Sequence, residues 1–514
     1  MLIVNKLDKS GKPLNELAKN GNSINKIYRN GEVAFQKLKN EEESPSPLKM
    51  PLTFNILSDG TINWTASKTD IAKTIEYKLN NGEWVSITSN TSSSAPKINV
   101  AEGDKVQFRG NNAQYATKTF FASSYNSFSG STASFEAEGN IMSLIYGDKF
   151  KDNSTISSTY TFTGLFRGCT KLVSAENLIL PSTTLKNYCY SEMFRDCKSL
   201  TTAPELPATT LAQYCYYSMF RGCTSLTTAP ALPANTLSKS CYSNMFDGCT
   251  SLTTAPELPA MTLAESCYSS MLMGCTSLTS APSLPATTLA SSCYSSMFMA
   301  CTSLTTATEL PATTLATNCY YNMCKNCTSL TSAPSLPATT LASSCYENMF
   351  QGCTGLTSAP ELPVTTLAQY CYRSMFQDCT SLTSAPSLPA TTLASSCYSY
   401  MFRNCTSLTT ASELPATTLA NYCYNYMFDG CTSLTTAPAL PATTLASGCY
   451  TQMFNRCEKL NYIKCLATDI SADECTSSWV NGVASTGTFV KNPNMSGWAT
   501  GKNGIPEGWT IIDA

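Results

Sequence analysis

The 26 residues from Cys197 to Gly222, CKSLTTAPELPATTLAQYCYYSMFRG, form one complete copy of the unit that decides the fold. Along the chain, from Cys189 to Cys457, the gaps between cysteines alternate between 8 and 18 residues once the additional Cys324 is set aside, so the period is 26. A fixed period that is repeated almost without insertions indicates supersecondary units stacked on one another. The sequence therefore predicts a solenoid of about 12 turns.

Each half of the unit suggests its own secondary structure. Leu200–Leu206 is short and rich in threonine, contains Pro204 and is followed by Pro207, which predicts a brief strand that ends at proline. From Leu211 onward, the repeated Cys, Tyr, Met and Phe positions fall on one half of a helical wheel. The positions that differ between copies, equivalent to 213, 214, 217, 218 and 221, fall on the other half. The predicted fold is an α/β solenoid with one buried and one exposed helix face.

Buried columns are predicted from the positions that do not vary. Tyr follows the first Cys in all eleven copies, and Met follows three residues later. The exposed positions carry extra tyrosines and arginines that core packing does not require, although scattered surface aromatics are also normal. Tyr and Arg are enriched where protein surfaces bind. The candidate binding residues are Tyr188, Tyr214, Tyr217, Arg221, Tyr321, Tyr370, Arg373, Tyr400, Arg403, Tyr422 and Tyr426.

Threonines and cysteines each allow a functional and a structural interpretation. Equivalents of Thr201-Thr202 and Thr209-Thr210 would form hydroxyl ladders that could bind ordered water or sugar, but threonine also suits strands and turns. The 26 cysteines are interpreted as buried thiols used for packing. Cys319, Cys324 and Cys327 include a CxxC, yet Cys324 occupies a position held by Phe in other copies, so zinc or redox chemistry is not predicted.

Composition argues against several classes of function. Histidine is absent, which removes the commonest general base and zinc ligand. We therefore expect no enzymatic activity, no catalytic residues, no metal site and no cofactor. With 33 basic and 35 acidic residues, the charge balance gives no attraction for nucleic acid. The N-terminus lacks the apolar run of a signal peptide, and no segment is apolar enough for membrane insertion.

The segments that flank the repeats predict further units. Residues 1–45 contain two strand-like runs around Asn30-Gly31 and are predicted to be an anchor hairpin and linker. Residues 46–124 are predicted to form a small all-β sandwich that acts as a spacer. Residues 125–165 and 461–514 are predicted to be the N-terminal and C-terminal caps of a solenoid spanning 166–460, because an uncovered last turn would expose its core.

The repeated motif LPATTLAxxCYxxMFxxCTSLTxAP resembles the BspA-type leucine-rich repeats of gut anaerobes and their phages. This resemblance covers about residues 165–462 and implies a leucine-rich-repeat solenoid that binds rather than catalyses. NGNSINKIYRNGEVAFQ near the N-terminus resembles segments of phage virion proteins. The motifs GNIMSLIYGDKF, TSSWVNGVASTGTF and GIPEGWT resemble the borders of repeat proteins carried by phages of gut bacteria.

These resemblances imply a structural protein of the phage virion, in a head or tail fibre or as a decoration, that presents the solenoid for host attachment. Its expected partners are virion proteins at the N-terminus and a host-surface glycan or protein along the solenoid, and a homo-oligomer is expected. The protein would be made in the host cytoplasm and located in the virion. The alternative is a BspA-like adhesin on the bacterial cell surface, which would need another route of export.

Overall fold

The computed structural model describes residues 26–29, 32–36, 47–117 and 124–514. Near the N-terminus, β1 (Lys26–Arg29) pairs antiparallel with β2 (Glu32–Gln36). The two strand-like runs of the sequence therefore form a hairpin, whereas the predicted Asn30-Gly31 turn lies outside the described residues.

Ten strands, which we call the β-domain, occupy residues 52–140. In Lys97–Val100 and Lys105–Arg109, buried residues alternate with exposed or half-buried ones, so one face of these two strands turns inward. The strands are β3 (Leu52–Ile56), β4 (Gly60–Asn63), β5 (Thr65–Ala66), β6 (Thr74–Leu79), β7 (Val85–Thr88), β8 (Lys97–Val100), β9 (Lys105–Arg109), β10 (Ala116–Thr117), β11 (Ser124–Ser127) and β12 (Phe135–Asn140).

The β-domain has an aromatic core. Phe54 lies at its centre, with its ring centroid 4.7 Å from that of Phe108 and 4.8 Å from that of Phe128. Trp64 packs 4.9 Å from Phe128 and is fully buried, and its indole N–H donates to the carbonyl of Lys73. The predicted all-β character of this region is therefore present, arranged in one large and two small sheets.

The β-domain and the first coil share a sheet. β12 pairs antiparallel with β3 on one side, and on the other it pairs in parallel with β13 (Leu172–Ser174) and β14 (Leu178–Ile179). The full order is β13–β12–β3–β9–β6–β7. After β12 come α1 (Ser143–Tyr146) and a 3₁₀ turn over Gly147–Asp152. The aromatic core of the β-domain thus continues into the core of the solenoid.

The predicted helix in each unit is wrong. In the described residues the only α-helix is the four-residue α1, and the second half of each unit is a series of tight turns that we call the turn half (residues 213–223 of the unit). Every fourth residue there has a left-handed backbone, with φ of 57° at Tyr214, 52° at Ser218 and 72° at Gly222. Such φ values are incompatible with an α-helix.

Hydrogen bonding explains why the turn half is not helical. Alternate amides close turns within the unit, as when the Cys215 N–H donates to the Ala212 carbonyl over 3.3 Å. The amides between them point along the solenoid, as when the Tyr216 N–H donates to the Cys241 carbonyl of the next coil over 3.1 Å. Backbone hydrogen bonds in the turn half therefore join successive coils. In an α-helix, the same N–H groups would donate to carbonyls of their own helix.

The other half of the unit pairs more sparsely than predicted. Leu200–Leu206 does not form a continuous strand; instead, isolated parallel bridges join neighbouring coils, such as Thr202 with Ser174 and Thr228 with Thr254. Pro204 and its equivalents lack the N–H that a longer ladder would need. The predicted pairing between coils exists, but it is limited to single positions.

The buried columns are confirmed. Throughout the coils the Cys, Tyr, Met and Leu positions are almost completely buried, and so is the Phe position. Equivalent rings stack nearly parallel, with Tyr centroids 5.8 Å apart between Tyr190 and Tyr216 and 5.6 Å apart between Tyr320 and Tyr346. Phe220 and Phe246 stack in the same manner at 5.6 Å. Each coil therefore buries its side chains against identical side chains of its neighbours.

The segment predicted as a C-terminal cap continues the stack. Strands β15 (Tyr462–Cys465), β16 (Thr488–Lys491) and β17 (Thr510–Asp513) pair in parallel. Trp479 is fully buried, 6.1 Å from the Tyr450 ring and 6.2 Å from the Phe454 ring. It ends the two aromatic columns with one larger side chain.

Candidate functional site

The coil interior offers packing rather than chemistry. All 26 cysteines are free and buried. In one column the thiol donates to a carbonyl, as from Cys223 to Phe194 over 3.0 Å. Burial raises the pKa of the Cys189 and Cys241 thiols to about 12. These thiols therefore stay protonated and unreactive at neutral pH.

A metal site, a membrane span and a groove each have requirements that can be compared with the part of the chain that the structure describes. Among the residues that the structure describes, no group of His, Cys, Asp or Glu is arranged to hold a metal ion. Within the same residues, no helix has the length and apolar character needed to cross a bilayer. A shallow groove of about 450 Å³ lies between two coils, and its single ionisable lining residue is Glu413. The candidate binding residues lie instead at the outer surface of the coils.

The turn half sets which side chains reach that surface. Its four-residue period generally alternates a buried pair with a more exposed pair. Cys293 and Tyr294 are buried, Ser295 and Ser296 are half-buried, and Met297 starts the following buried pair. All candidate binding residues except Tyr422 are half-buried, and Tyr422 is 38% exposed. The structure gathers nine of them into two groups. Tyr422 lies at the border of the second group, and Tyr321 lies between the groups and belongs to neither.

The first group, which we call the first strip, lies near the start of the solenoid. The rings of Tyr160, Tyr188 and Tyr214 form one stack with centroids 4.8 Å apart. Tyr217 meets Tyr214 edge-on at 6.0 Å. Arg221 pairs with Asp247 of the next coil, with Nε 2.8 Å from Oδ2. Burial raises the pKa of Asp247 by more than Arg221 lowers it.

The second group, which we call the second strip, alternates tyrosine with arginine over successive coils. It consists of Tyr370, Arg373, Tyr400, Arg403 and Tyr426. The Arg373 guanidinium carbon lies 5.5 Å from the Tyr370 ring centre and 5.8 Å from that of Tyr400. Arg403 lies 5.7 Å from Tyr400 and 5.9 Å from Tyr426. The Tyr400 and Tyr426 rings stack at 4.6 Å. Each arginine is therefore held by two rings.

Carboxylates hold the same arginines from below. Arg403 Nε donates to Asp429 Oδ2 over 2.9 Å, and Arg456 reaches both oxygens of that carboxylate over 2.8–2.9 Å. The Arg373 Nη1 atom is 3.4 Å from Glu347 Oε1. Asp429 also accepts a hydrogen bond from Asn455 over 2.8 Å. The guanidinium groups are thereby fixed in direction.

Tyr422 is placed by a glycine. It belongs to the same position of the unit as Tyr370, and the next coil carries Gly448 there with φ of 59°. A Cβ at Gly448 would collide with the Tyr422 ring, so the ring lies directly over this backbone. The side chain is thus both exposed and supported, at the border of the second strip.

Asp429, Glu347 and Arg456 were missed by the sequence analysis, which treated the outward positions one residue at a time. The usable signal is opposite charge at a separation of one period: Glu347 precedes Arg373 by 26 residues, and Asp429 follows Arg403 by 26. Stacking brings such residues together even though they are far apart along the chain.

The threonine ladders are present and exposed. The Thr305 hydroxyl donates to the Thr279 carbonyl over 3.3 Å, and Thr409 donates to Thr383 over 3.1 Å. These hydroxyls thus help to join the coils, which favours the structural interpretation. A second row, exposed at every member except the half-buried Ala439, lies two residues before the second proline of the unit and alternates glutamate with small residues. Its members are Glu205, Ala231, Glu257, Ser283, Glu309, Ser335, Glu361, Ser387, Glu413 and Ala439.

Together, the fold and the surface define a repeat protein whose invariant columns form the core and whose variable outward positions form the surface. The BspA-type leucine-rich-repeat region, in six copies, matches residues 146–278, 185–331, 238–357, 267–408 and 343–473. The chain belongs to this BspA-type leucine-rich-repeat family. The family resemblance and the leucine-rich-repeat class predicted from the sequence are therefore confirmed.

One solved structure is also similar, a leucine-rich-repeat protein from Bacteroides ovatus. It shares 17% sequence identity with a TM-score of 0.42, and the match covers 78% of this chain and 98% of that one. No curated protein matches the chain.

Proposed function

We propose that this chain is a non-enzymatic attachment protein whose solenoid binds the surface of a host cell. The observation that carries the proposal is the division of the turn half between fixed inward columns and variable outward positions. The core is constant from coil to coil, so the outward residues can change without loss of packing. Where these residues are Tyr and Arg, they are ordered in advance by stacking and ion pairs, which lowers the entropic cost of binding.

The candidate binding residues supply the chemistry of a contact surface. Ring stacking in the first strip and ring–guanidinium contacts in the second strip give large, stiff side chains. Tyr and Arg are the residue types that contribute most where surfaces bind. The proposed partner is a glycan or protein of the host surface, and the proposed solution state is a homo-oligomer.

As the carrier of this attachment protein we propose a phage virion, in which residues 1–45 join the chain to other virion proteins. The support for this proposal is the resemblance of the segment around β1 and β2 to virion proteins. The experiment compares full-length protein with a variant lacking residues 1–45 for incorporation into particles. We expect only the full-length chain to be found in purified virions. Incorporation of the truncated chain would contradict the anchor role.

The alternative carrier is the bacterial cell surface, as a BspA-like adhesin. It is favoured by the family itself, because the BspA-type match spans most of the coils and is independent of any phage context. Fractionation separates the two carriers: an adhesin would be present on the envelope of uninfected cells, whereas a virion protein would appear only during infection. Both carriers keep the same proposed attachment surface.

A further inference from the structure

The charges of the second strip are sorted by depth. The Arg373 side chain is 41% exposed and its partner Glu347 is 12% exposed. Arg403 and Arg456 are 34% and 51% exposed, and the Asp429 carboxylate that both contact is 1% exposed. The negative charge therefore lies beneath the surface and the positive charge lies on it, so an approaching ligand meets guanidinium groups first.

Other acidic groups border this surface. Asp378 accepts a hydrogen bond from Asn404 over 2.8 Å, and Asn404 in turn contacts Arg456. Burial raises the pKa of the Tyr426 phenol most, and the neighbouring Tyr400 raises it further. Glu474 lies close enough to add a smaller increase in the same direction. These carboxylates limit the cationic area to the second strip and Arg456.

Stacking decides which atoms face outward. The rings of Tyr400 and Tyr426 lie face to face, and the guanidinium groups of Arg373 and Arg403 lie against the tyrosine rings. Ring faces are thus largely covered by protein, which leaves guanidinium edges and phenol O–H donors for a ligand. The Tyr426 oxygen already accepts a hydrogen bond from Gln452 Nε2 over 2.7 Å. These donors favour acceptor-rich, negatively charged ligands over sugars that need an open ring face.

We propose that the second strip binds an anionic polysaccharide through its carboxylate or sulfate groups; this inference rests on the proposed attachment function and specifies its ligand. Arg373 and Arg403 supply forked donors for the oxyanions, and the phenols of Tyr400 and Tyr426 donate to neighbouring hydroxyl or ring oxygens. Successive coils repeat at about 4.8 Å, so an extended polymer lying along the solenoid meets Arg373 on one coil and Arg403 on the next.

The test measures binding of the full chain to polygalacturonate, dextran sulfate and uncharged dextran by isothermal titration calorimetry. We expect binding to one or both anionic polymers and not to dextran. The double variant Arg373→Gln, Arg403→Gln should weaken that binding by about tenfold or more, because two forked donors are lost. The matched control is Lys325→Gln, Lys459→Gln, which removes the same charge outside the strip and should leave the affinity within about twofold.

A second pair of variants separates binding from folding. Arg373→Lys, Arg403→Lys keeps a cation beside Asp429 but loses the fork, and it should fold normally and bind several-fold more weakly.

The carboxylated and sulfated polymers distinguish the two oxyanion classes. If Arg373→Gln, Arg403→Gln and the control Lys325→Gln, Lys459→Gln lose equal affinity for the polymers, the binding is diffuse ion exchange and the proposal is overturned. Binding to DNA that is tighter than binding to either polysaccharide would also overturn it. If the wild type attaches to host cells and the arginine variants attach equally well, this inference fails while the attachment function stands. If the wild type binds no cell surface, the attachment function itself fails.

Discussion

The coils and the β-domain reach stability in different ways. In the coils, each buried position repeats the residue of its neighbours 26 positions away, and backbone hydrogen bonds join every coil to the next. In the β-domain, β3 pairs with strands distant in sequence, so that Leu52 lies opposite Phe108 and Phe135 opposite Ile56. The stability of the β-domain core depends on a few aromatic side chains in unlike surroundings. The stability of the coil core depends on many repeated side chains that each contribute about equally. Damage should therefore be local in the coils and global in the β-domain.

The largest difference should appear at alkaline pH. All cysteines lie between Cys169 and Cys475, and none lies in the β-domain. Burial raises thiol pKa values to about 12, as at Cys293 and Cys345, while an unfolded thiol has a pKa of about 8.5. The folded form therefore binds these protons more tightly. The stability that they contribute is complete below about pH 8.5 and is lost as the pH rises toward 12.

Each pH unit above the unfolded-state pKa lowers the free energy of unfolding by about 1.4 kcal/mol per thiol, and the coils contain some two dozen thiols. We expect the coils to unfold between about pH 9 and 11. Hydrogen–deuterium exchange followed by mass spectrometry at pH 7.5 and after brief exposure to higher pH should show loss of protection in the coils before the β-domain. Equal alkaline resistance of both regions would contradict the comparison.

Truncation of one aromatic tests the contrast between unlike and repeated contacts. Phe54→Ala removes the ring at the centre of the β-domain and should lower its free energy of unfolding by about 3–5 kcal/mol. Phe376→Leu alters one member of a column and should cost less than about 1.5 kcal/mol, because Leu272 already occupies that position in another coil. Urea unfolding followed by exchange in each region measures both values, and a global collapse caused by Phe376→Leu would refute local behaviour in the coils.

A glycine substitution distinguishes the turn half from a helix. Gly248 has φ of 74°, and a Cβ there would meet only the Gly222 backbone at 3.9 Å, so the effect is conformational rather than steric. Gly248→Ala should destabilise the chain by about 1–2 kcal/mol, whereas in a helix the same change would stabilise it. Gly248→Asn is the control and should cost less, because Asn326 and Asn404 hold this conformation in other coils. The midpoint of urea unfolding reports the sign.

The smallest expected effect concerns the alternating glutamate row. Ser335 lies between Glu309 and Glu361 and its hydroxyl donates to Glu309. Ser335→Glu would place three carboxylates in successive coils and should cost about 0.2–1 kcal/mol at low salt, declining as salt screens the repulsion. Ser335→Gln should be nearly neutral. Thermal unfolding at two salt concentrations separates the variants, and a loss that does not depend on salt would point to packing instead.

The helical wheel placed the right residues inside for the wrong reason. Cys215, Tyr216, Met219, Phe220 and Cys223 share one side both in a helix of 3.6 residues per turn and in a four-residue turn period, because the two differ little over nine residues. Left-handed positions could be suspected from Gly, Asn and Asp at the equivalents of Gly222. However, Tyr214 and Ser218 occupy the same conformation, and their types give no such signal.

The sequence by itself determined the 26-residue period, the solenoid class and the identity of the buried columns. The reason is that stacking the repeated units buries the apolar residues of each unit against those of its neighbours. The sequence also indicated which outward positions are free to vary. The tertiary structure alone decided that the turn half is not helical, because its amides bond to the next coil rather than to their own. It alone placed Glu347 and Asp429 beneath the arginines of the second strip, because contacts between coils join residues that no local pattern connects.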